Sequence, residues 1–466
     1  MTAMTRHVVA LGLLLVSPWA TRAAQDRKGP VAHADDFTTR VVTAGLEGPW
    51  EIAWGPDGYL WVTERTGKRV IRVNPADGSR TTLATIPDVH QSVTQDGLLG
   101  MALHPDLLRG RGADYVYVAF TYDADPGAGV ARRGRIRRYT YDSSAHTLSG
   151  PVDLLSNLPA HDDHVSGRLV YGPDRMLYFS VGDQGSNFGP NYCTENRAQE
   201  LPTAAETKAQ DWTKYQGKVL RVALDGSIPP DNPIIAGVRS HIYSYGHRNV
   251  QGLVFGPDRK LYASEHGPST DDELNLLQPG KNYGWPNVAG YKDDRAYVYG
   301  NWSAASPAAC ATLRFSPNVI PPVVPLQKES AWTSADFVPP LRTFFTVDND
   351  YNFQERGGAT VAPSGLDLYT VRQSGIPDWA NSLLMTGLKT GTLYRMKLSK
   401  DGMSISGDTE SLFKTANRYR DIAIGADART LFVVTDNEGP TTDASGALTR
   451  TLANPGAILA FTYNKK

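Results

Sequence analysis

The apolar positions of this chain fall in runs of roughly four to eight residues, rich in Val, Leu, Tyr, Phe and Trp and broken by Gly, Pro, Asp and Asn. That pattern predicts strands joined by tight turns. Helical spacing is nearly absent, and only a stretch such as 193–208 has room for a short helix within a loop. One phrase recurs: Trp54-Gly55-Pro56-Asp57-Gly58-Tyr59-Leu60-Trp61-Val62 returns as Tyr171-Gly172-Pro173-Asp174-Arg175-Met176-Leu177-Tyr178-Phe179. It returns again as Phe255-Gly256-Pro257-Asp258-Arg259-Lys260-Leu261-Tyr262-Ala263, with looser copies at Leu103–Asp106, Ala362–Tyr369 and Ile424–Phe432. Each copy reads as a strand, a turn at Pro-Asp or a relative, and a second aromatic-rich strand.

Six copies over residues 34–466 predict a single all-β domain, a six-bladed β-propeller with one hairpin phrase per blade; a sandwich or a two-domain β protein is the alternative. A four-stranded blade needs about 40–45 residues, and the chain supplies roughly 70 per copy. Long loops must therefore leave the middle blades, where the gaps between copies are widest, and such loops usually carry function.

Composition narrows the classes. With 47 Lys+Arg against 48 Asp+Glu the formal charge is −1, which argues against a nucleic-acid partner or a cationic membrane-surface protein. Two cysteines, Cys193 and Cys310, are too few for a disulfide scaffold; one bridge is open to them, and nothing in the sequence brings them together. Arg6 and His7 precede the apolar run Val8–Val16 and the small residues Ala20, Ala23 and Ala24, which reads as a secretory leader over residues 1–24. The run is too short to span a bilayer and no later segment is a candidate, so the mature chain is expected to be periplasmic or secreted.

In a propeller the inner strands line a central channel, so the residues entering them converge at one mouth. Those residues are Gln95 and Asp96, His164, Arg248 and Asn249, and Arg418 and Arg420; Thr360 lies closer to its own phrase, and the fifth copy fits poorly. The set predicts a polar pocket with a cationic bias, suited to a carboxylate or phosphate. His164 is its candidate base, with Asp183 placed to orient it. Two oxygen-rich segments, Ser264–Pro268 followed by Asp271–Glu273, and Asn287–Asp294, have the ligand types a hard cation takes. Neither a Gly-x-Gly-x-x-Gly after a strand nor a phosphate-binding loop is present.

The blocks Asp163–Val170, Gly182–Gly185, Gly217–Arg221, Gly246–Asn249, Asn282–Tyr291 and Asn417–Asp421 closely resemble the soluble periplasmic sugar dehydrogenases of the glucose/sorbosone dehydrogenase family, over nearly the whole chain from about Phe37 to Tyr463. The resemblance implies a six-bladed propeller that oxidises an aldose with pyrroloquinoline quinone (PQQ) and Ca2+ and passes electrons to an external acceptor, a dye or a cytochrome-like protein. It implies cofactor contacts from Gln95, Asp163, Arg248, Asn249, Thr360, Lys389, Arg418 and Arg420. It further implies calcium on the carbonyls of Gly267 and Pro268, His164, Asp183 and Arg248 as catalytic residues, and a second calcium at Ala289, Tyr291, Asp293 and Glu329 supporting a homodimer. The chain departs from the family pattern at His266, around Phe188-Gly189, and in the short stretch Asn352–Gly358, all on the pocket rim. Two rival classes are a calcium-dependent lactonase-type hydrolase, which has no use for Lys389, Arg418 and Arg420 together, and a non-catalytic sugar-binding propeller, which has no need of His164, Asp183 and Arg248.

Overall fold

Six four-stranded antiparallel sheets, arranged as blades around a channel, make up this computed structural model, which describes residues 32–465 apart from 93, 94, 128, 317, 318 and 372. The leader assigned to residues 1–24 lies outside the described residues. The innermost strands are Pro49–Trp54, Leu98–Leu103, Ser166–Tyr171, Val250–Phe255, Pro363–Tyr369 and Tyr419–Ile424. The ring closes in the sixth blade, where the first strand, Phe37–Thr43, pairs antiparallel with the last, Ile458–Tyr463, in a register that sets Phe37 opposite Tyr463. Among the described residues no helix is long and apolar enough to cross a membrane.

The recurring phrase has a physical cause. In the first blade Asp57 of the turn accepts from the indole of Trp61 in the second strand (3.1 Å) and from Arg72 in the third (2.8 Å). In the third blade Asp174 likewise accepts from the hydroxyl of Tyr178 (3.0 Å) and from Arg221 (2.8 Å). The apolar core is divided into wedges, each shared by two neighbouring blades. Ile52, Leu60 and Val62 of the first pack on Phe432, Val434 and Ile458 of the sixth, and Leu169, Leu177 and Phe179 of the third pack on Tyr117 and Ile136 of the second. No blade buries its faces alone.

The fifth copy is read differently by the structure. Pro363–Tyr369 is not a strand–turn–strand phrase but the inner strand itself, and the next strand, Ser382–Gly387, follows a longer connection that has no Pro-Asp turn. Thr360 therefore precedes its inner strand by three residues, as Gln95 precedes Leu98, and is in phase with the ring after all.

Each of the six inner strands carries a register irregularity against its second strand at its first residues. A bulge bends and re-aims a strand, so the residues leading into the inner strands splay into the mouth. Below them the channel is tight. A side chain at Gly365 would place its Cβ 1.9 Å from an oxygen of Asp421 on the neighbouring strand. The long excursions leave the third and fourth blades: residues 182–217 hold a short helix, Ala204–Lys208, capped by Thr203 and Glu206, and residues 278–341 hold the strand pair Tyr299–Gly300 and Leu326–Gln327. A disulfide between Cys193 and Cys310 joins these two excursions across 117 residues of sequence.

Candidate functional site

His164 enters the third inner strand with a φ of +42°, a conformation L residues rarely adopt. The residue is 8 % exposed, and its Nδ1 lies 2.8 Å from Oδ1 of Asp183, which follows the second strand of the same blade. Asp183 is wholly buried and is itself fixed by the indole N–H of Trp285 (2.7 Å), by Asn196 (3.0 Å) and by the backbone N–H of Gly185 (2.9 Å). A carboxylate only accepts, so Nδ1 carries the proton and the acceptor nitrogen of the ring is Nε2. That nitrogen is 3.9 Å from Asp163, whose Oδ1 holds the His164 backbone N–H (3.0 Å) and the Gln95 amide (2.5 Å).

A cavity of about 290 Å³ opens at the mouth; of the residues the inner-strand phase predicts, Gln95, Arg418 and Arg420 line it, Asp96, His164, Arg248 and Asn249 do not, and Ser166, Gln251 and His266 join the lining. It is also lined by Trp50, Arg65, Asp436 and Glu438, which the sequence reading missed. Arg420 forks onto Asp436 through Nε (2.9 Å) and Nη2 (2.7 Å), and Arg418 reaches the same carboxylate (3.3 Å). Burial works against ionising Asp436, yet Arg420, Arg418 and Arg65 hold its carboxyl below the usual range. Arg418 and Arg65 are both pushed below the ordinary guanidinium value, first by burial, and Arg420 beside them adds to the push. Three guanidiniums face the part-buried Asp436 and the exposed Glu438, which leaves a positive excess in a partly desolvated hollow.

Arg248 does not itself line the cavity but touches its wall at His266. Its guanidinium lies over Phe188 (5.1 Å) and Trp285 (5.2 Å), its Nη1 donates to the His266 carbonyl (3.3 Å), and its Nε is buried without a partner. Asn249 accepts from the backbone N–H and the hydroxyl of Ser166 (both 3.2 Å) and from Gln251 (2.9 Å). His266 donates from Nε2 to the Pro363 carbonyl (2.7 Å); burial, then Arg248 and His164, hold it well below the usual imidazole range.

Lys389 and Thr360 line a separate hollow rather than this cavity. Lys389 donates to the Gly358 carbonyl, and burial lowers its ammonium. Thr360 donates to Asp272 (2.5 Å), which also accepts from the N–H of Gly267 (3.0 Å). Gly267 sits in a turn so close that a Cβ there would lie 1.8 Å from the Thr270 carbonyl. Pro268 faces an aromatic pocket with Phe188, Trp285, Tyr297, Phe315 and Phe353.

At the second oxygen-rich segment, Glu329 is buried and accepts from the backbone N–H groups of Ala289 (2.9 Å), Asp293 (3.3 Å) and Asp294 (2.9 Å). Burial pushes Glu329 up to about 7 and Asp271 up to about 6, with Asp293 adding to both. Tyr291 is exposed, and no group of three or more acidic, His or Cys side chains gathers around a common point among the described residues.

Fold and mouth together define a six-bladed propeller with an acid-oriented histidine beside a cationic, anion-seeking cavity. Residues 46–322 and 354–443 match the glucose/sorbosone dehydrogenase family, and the chain belongs to it. It is 42% identical over 481 residues to quinoprotein glucose dehydrogenase B of Acinetobacter calcoaceticus, covering 99% of this chain and 100% of that one. It is 31% identical over 266 residues to the aldose sugar dehydrogenase of Escherichia coli, covering 54% and 64% respectively. Among solved structures it is similar to the PQQ-bound form of an aldose sugar dehydrogenase from Streptomyces coelicolor, with a TM-score of 0.61, 28% identity and coverage of 91% and 98%.

Proposed function

We propose that this protein is a PQQ-dependent aldose dehydrogenase that oxidises the anomeric carbon of a β-sugar to a lactone. The observation that carries the reading is the positive excess of Arg65, Arg418 and Arg420, whose repulsion an anion would relieve. The named relatives support it. PQQ is a planar tricarboxylate, and the residues present fit it: Arg418 and Arg420 have the donor geometry for carboxylates. The orphaned Nε of Arg248 lacks an acceptor that a bound anion would provide. Gln95, Asp163, Asn249, Thr360 and Lys389 complete the set, the last two from the neighbouring hollow.

The chemistry that bound PQQ supplies is acceptance of the hydride leaving the anomeric carbon. The rest falls to the chain. His164 takes the proton of the anomeric hydroxyl at Nε2 while the C1–O bond becomes a carbonyl. Asp183 holds the tautomer and stabilises the imidazolium that forms. Arg248 would stabilise negative charge on a bound acceptor. Calcium fits the carbonyls of Gly267 and Pro268, which accept no hydrogen bond among the described residues, and would polarise a bound carbonyl there.

A second calcium fits less well. The Glu329 carboxylate is already committed to three backbone N–H groups, so no step is derived through that ion, and the homodimer it would support rests on the resemblance alone. The leader over residues 1–24 supports export to the periplasm or medium, with reoxidation by an external acceptor. The lactonase-type reading is disfavoured by the Asp436–Arg420–Arg418 assembly, which has no role in metal-assisted hydrolysis. The reading is tested by titrating the protein with PQQ and Ca2+ while following tryptophan fluorescence, because Trp50 lines the cavity. Saturable quenching is expected, and no quenching at any concentration contradicts the reading.

A further inference from the structure

The block Gly246-His247-Arg248-Asn249 contains one residue that the proposed mechanism does not use. His247 has no exposed surface, and its ring stacks on Tyr283 (centroids 4.7 Å apart, 18° between planes). Its Nδ1 is 3.0 Å from Oε2 of Glu265, and its Nε2 is 2.8 Å from the hydroxyl of Ser244. The other oxygen of Glu265, Oε1, accepts the backbone N–H of Arg248 and that of Asn249 (3.3 Å). Ser244, His247 and Glu265 come from the fourth strand of the third blade, the connection between blades, and the second strand of the fourth blade.

We propose that Ser244, His247 and Glu265 form a buried relay that fixes the backbone carrying Arg248 and Asn249, which makes His247 a positioning residue for the sugar oxidation. The proposal rests on the reading of Arg248 and Asn249 given above. The serine–histidine–acid order resembles that of a hydrolase, but Ser244 has no exposed surface and no substrate can reach it. Because the carboxylate only accepts, Nδ1 donates to it and Nε2 accepts from Ser244, so every polar atom of the imidazole is used. Hydrogen bonds to a buried carboxylate are the strong kind, and removing one leaves a charge unsatisfied. Glu265 also faces Glu273 across the sheet, and burial together with Glu265 raises Glu273 well above the usual carboxylate range. Without the His247 donor, the Glu265 carboxylate is free to turn and release the two N–H groups it holds.

Two substitutions separate positioning from bulk. His247→Asn keeps a donor near the Nδ1 position, whereas His247→Leu keeps volume and loses it. Amide hydrogen exchange at Arg248 and Asn249, read in the cofactor-free protein, is expected to quicken at least about tenfold in His247→Leu and to stay near the parent rate in His247→Asn. In the PQQ-loaded enzyme, kcat should fall by a similar factor in His247→Leu, with the sugar KM little changed. Equal exchange in the parent and His247→Leu, or no recovery in His247→Asn, overturns the relay. If His247→Leu does not fold, Ser244→Ala carries the test: faster exchange at the same two amides is expected, and unchanged exchange rejects the relay. The exchange readout needs no turnover, so an inactive parent enzyme would refute the dehydrogenase reading and leave the relay to be judged separately.

Discussion

At the scale of single residues, the site depends on one imidazole held by one carboxylate. The Asp183 carboxylate, tied by Trp285, Asn196 and Gly185, cannot move without breaking three other bonds. His164→Ala should therefore leave cofactor affinity unchanged and lower turnover by about 10²–10⁴-fold, checked by dye-reduction rates alongside PQQ titration. Arg420→Ala should act oppositely, because it removes a fork that holds Asp436 and faces the cavity: PQQ affinity should fall at least about tenfold, measured by fluorescence quenching. These residues were legible because polar side chains stand within three residues of the start of several inner strands. Arg65 and Asp436 were not, although they too follow a rule. A second strand runs back to the same mouth, so the residue just past its end can meet the cavity: Arg65 after Glu64, His266 after Glu265 and Asp436 after Thr435. A second reading frame, one strand on, would have found them.

At the scale of the element, the misread fifth copy shows what a turn motif can and cannot carry. Pro-Asp turns join the first and second strands of four blades, and in two of them Asp57 and Asp174 bond an aromatic in the next strand, whereas Pro363 is followed by Ser364 and opens a strand instead. That inner strand carries Asp367, whose burial, with Asp421 nearby, pushes it up to about 7. The folded chain thus holds a proton between about pH 4 and 7 that the unfolded chain has lost, so this group makes stability fall as pH rises through that window and level off above it. Asp367→Asn should flatten that fall and raise stability at pH 8 by more than about 1 kcal/mol, measured by urea denaturation across pH. The disulfide was beyond the sequence because Cys193 and Cys310 sit in loops from different blades. Cys310→Ser should cost about 2–4 kcal/mol in the loops that carry Phe188 and Trp302, seen as faster proteolysis there while the blades persist.

At the scale of the whole molecule, stability and function share one geometry. Six apolar wedges hold neighbouring blades together, and the ring is complete only when Phe37–Thr43 joins the last blade. Removing that strand should therefore abolish the cooperative melt of the entire domain rather than of one blade, as calorimetry would show. The number of blades followed from the repeated phrase, and the cationic character of the mouth followed from its phase. That long loops leave the middle blades followed from the spacing of the copies, but the internal fold of residues 182–217 and 278–341 did not, because it is set by contacts between loops rather than by any periodicity. The central claim is that the mouth binds PQQ with calcium and uses His164 to oxidise a sugar. It is tested most directly by dye reduction with glucose and other aldoses, before and after PQQ and Ca2+ are added to cofactor-free protein. Turnover that appears only with both additions is the expected result. Turnover without PQQ, or none with any sugar at saturating cofactor and calcium, would contradict the account.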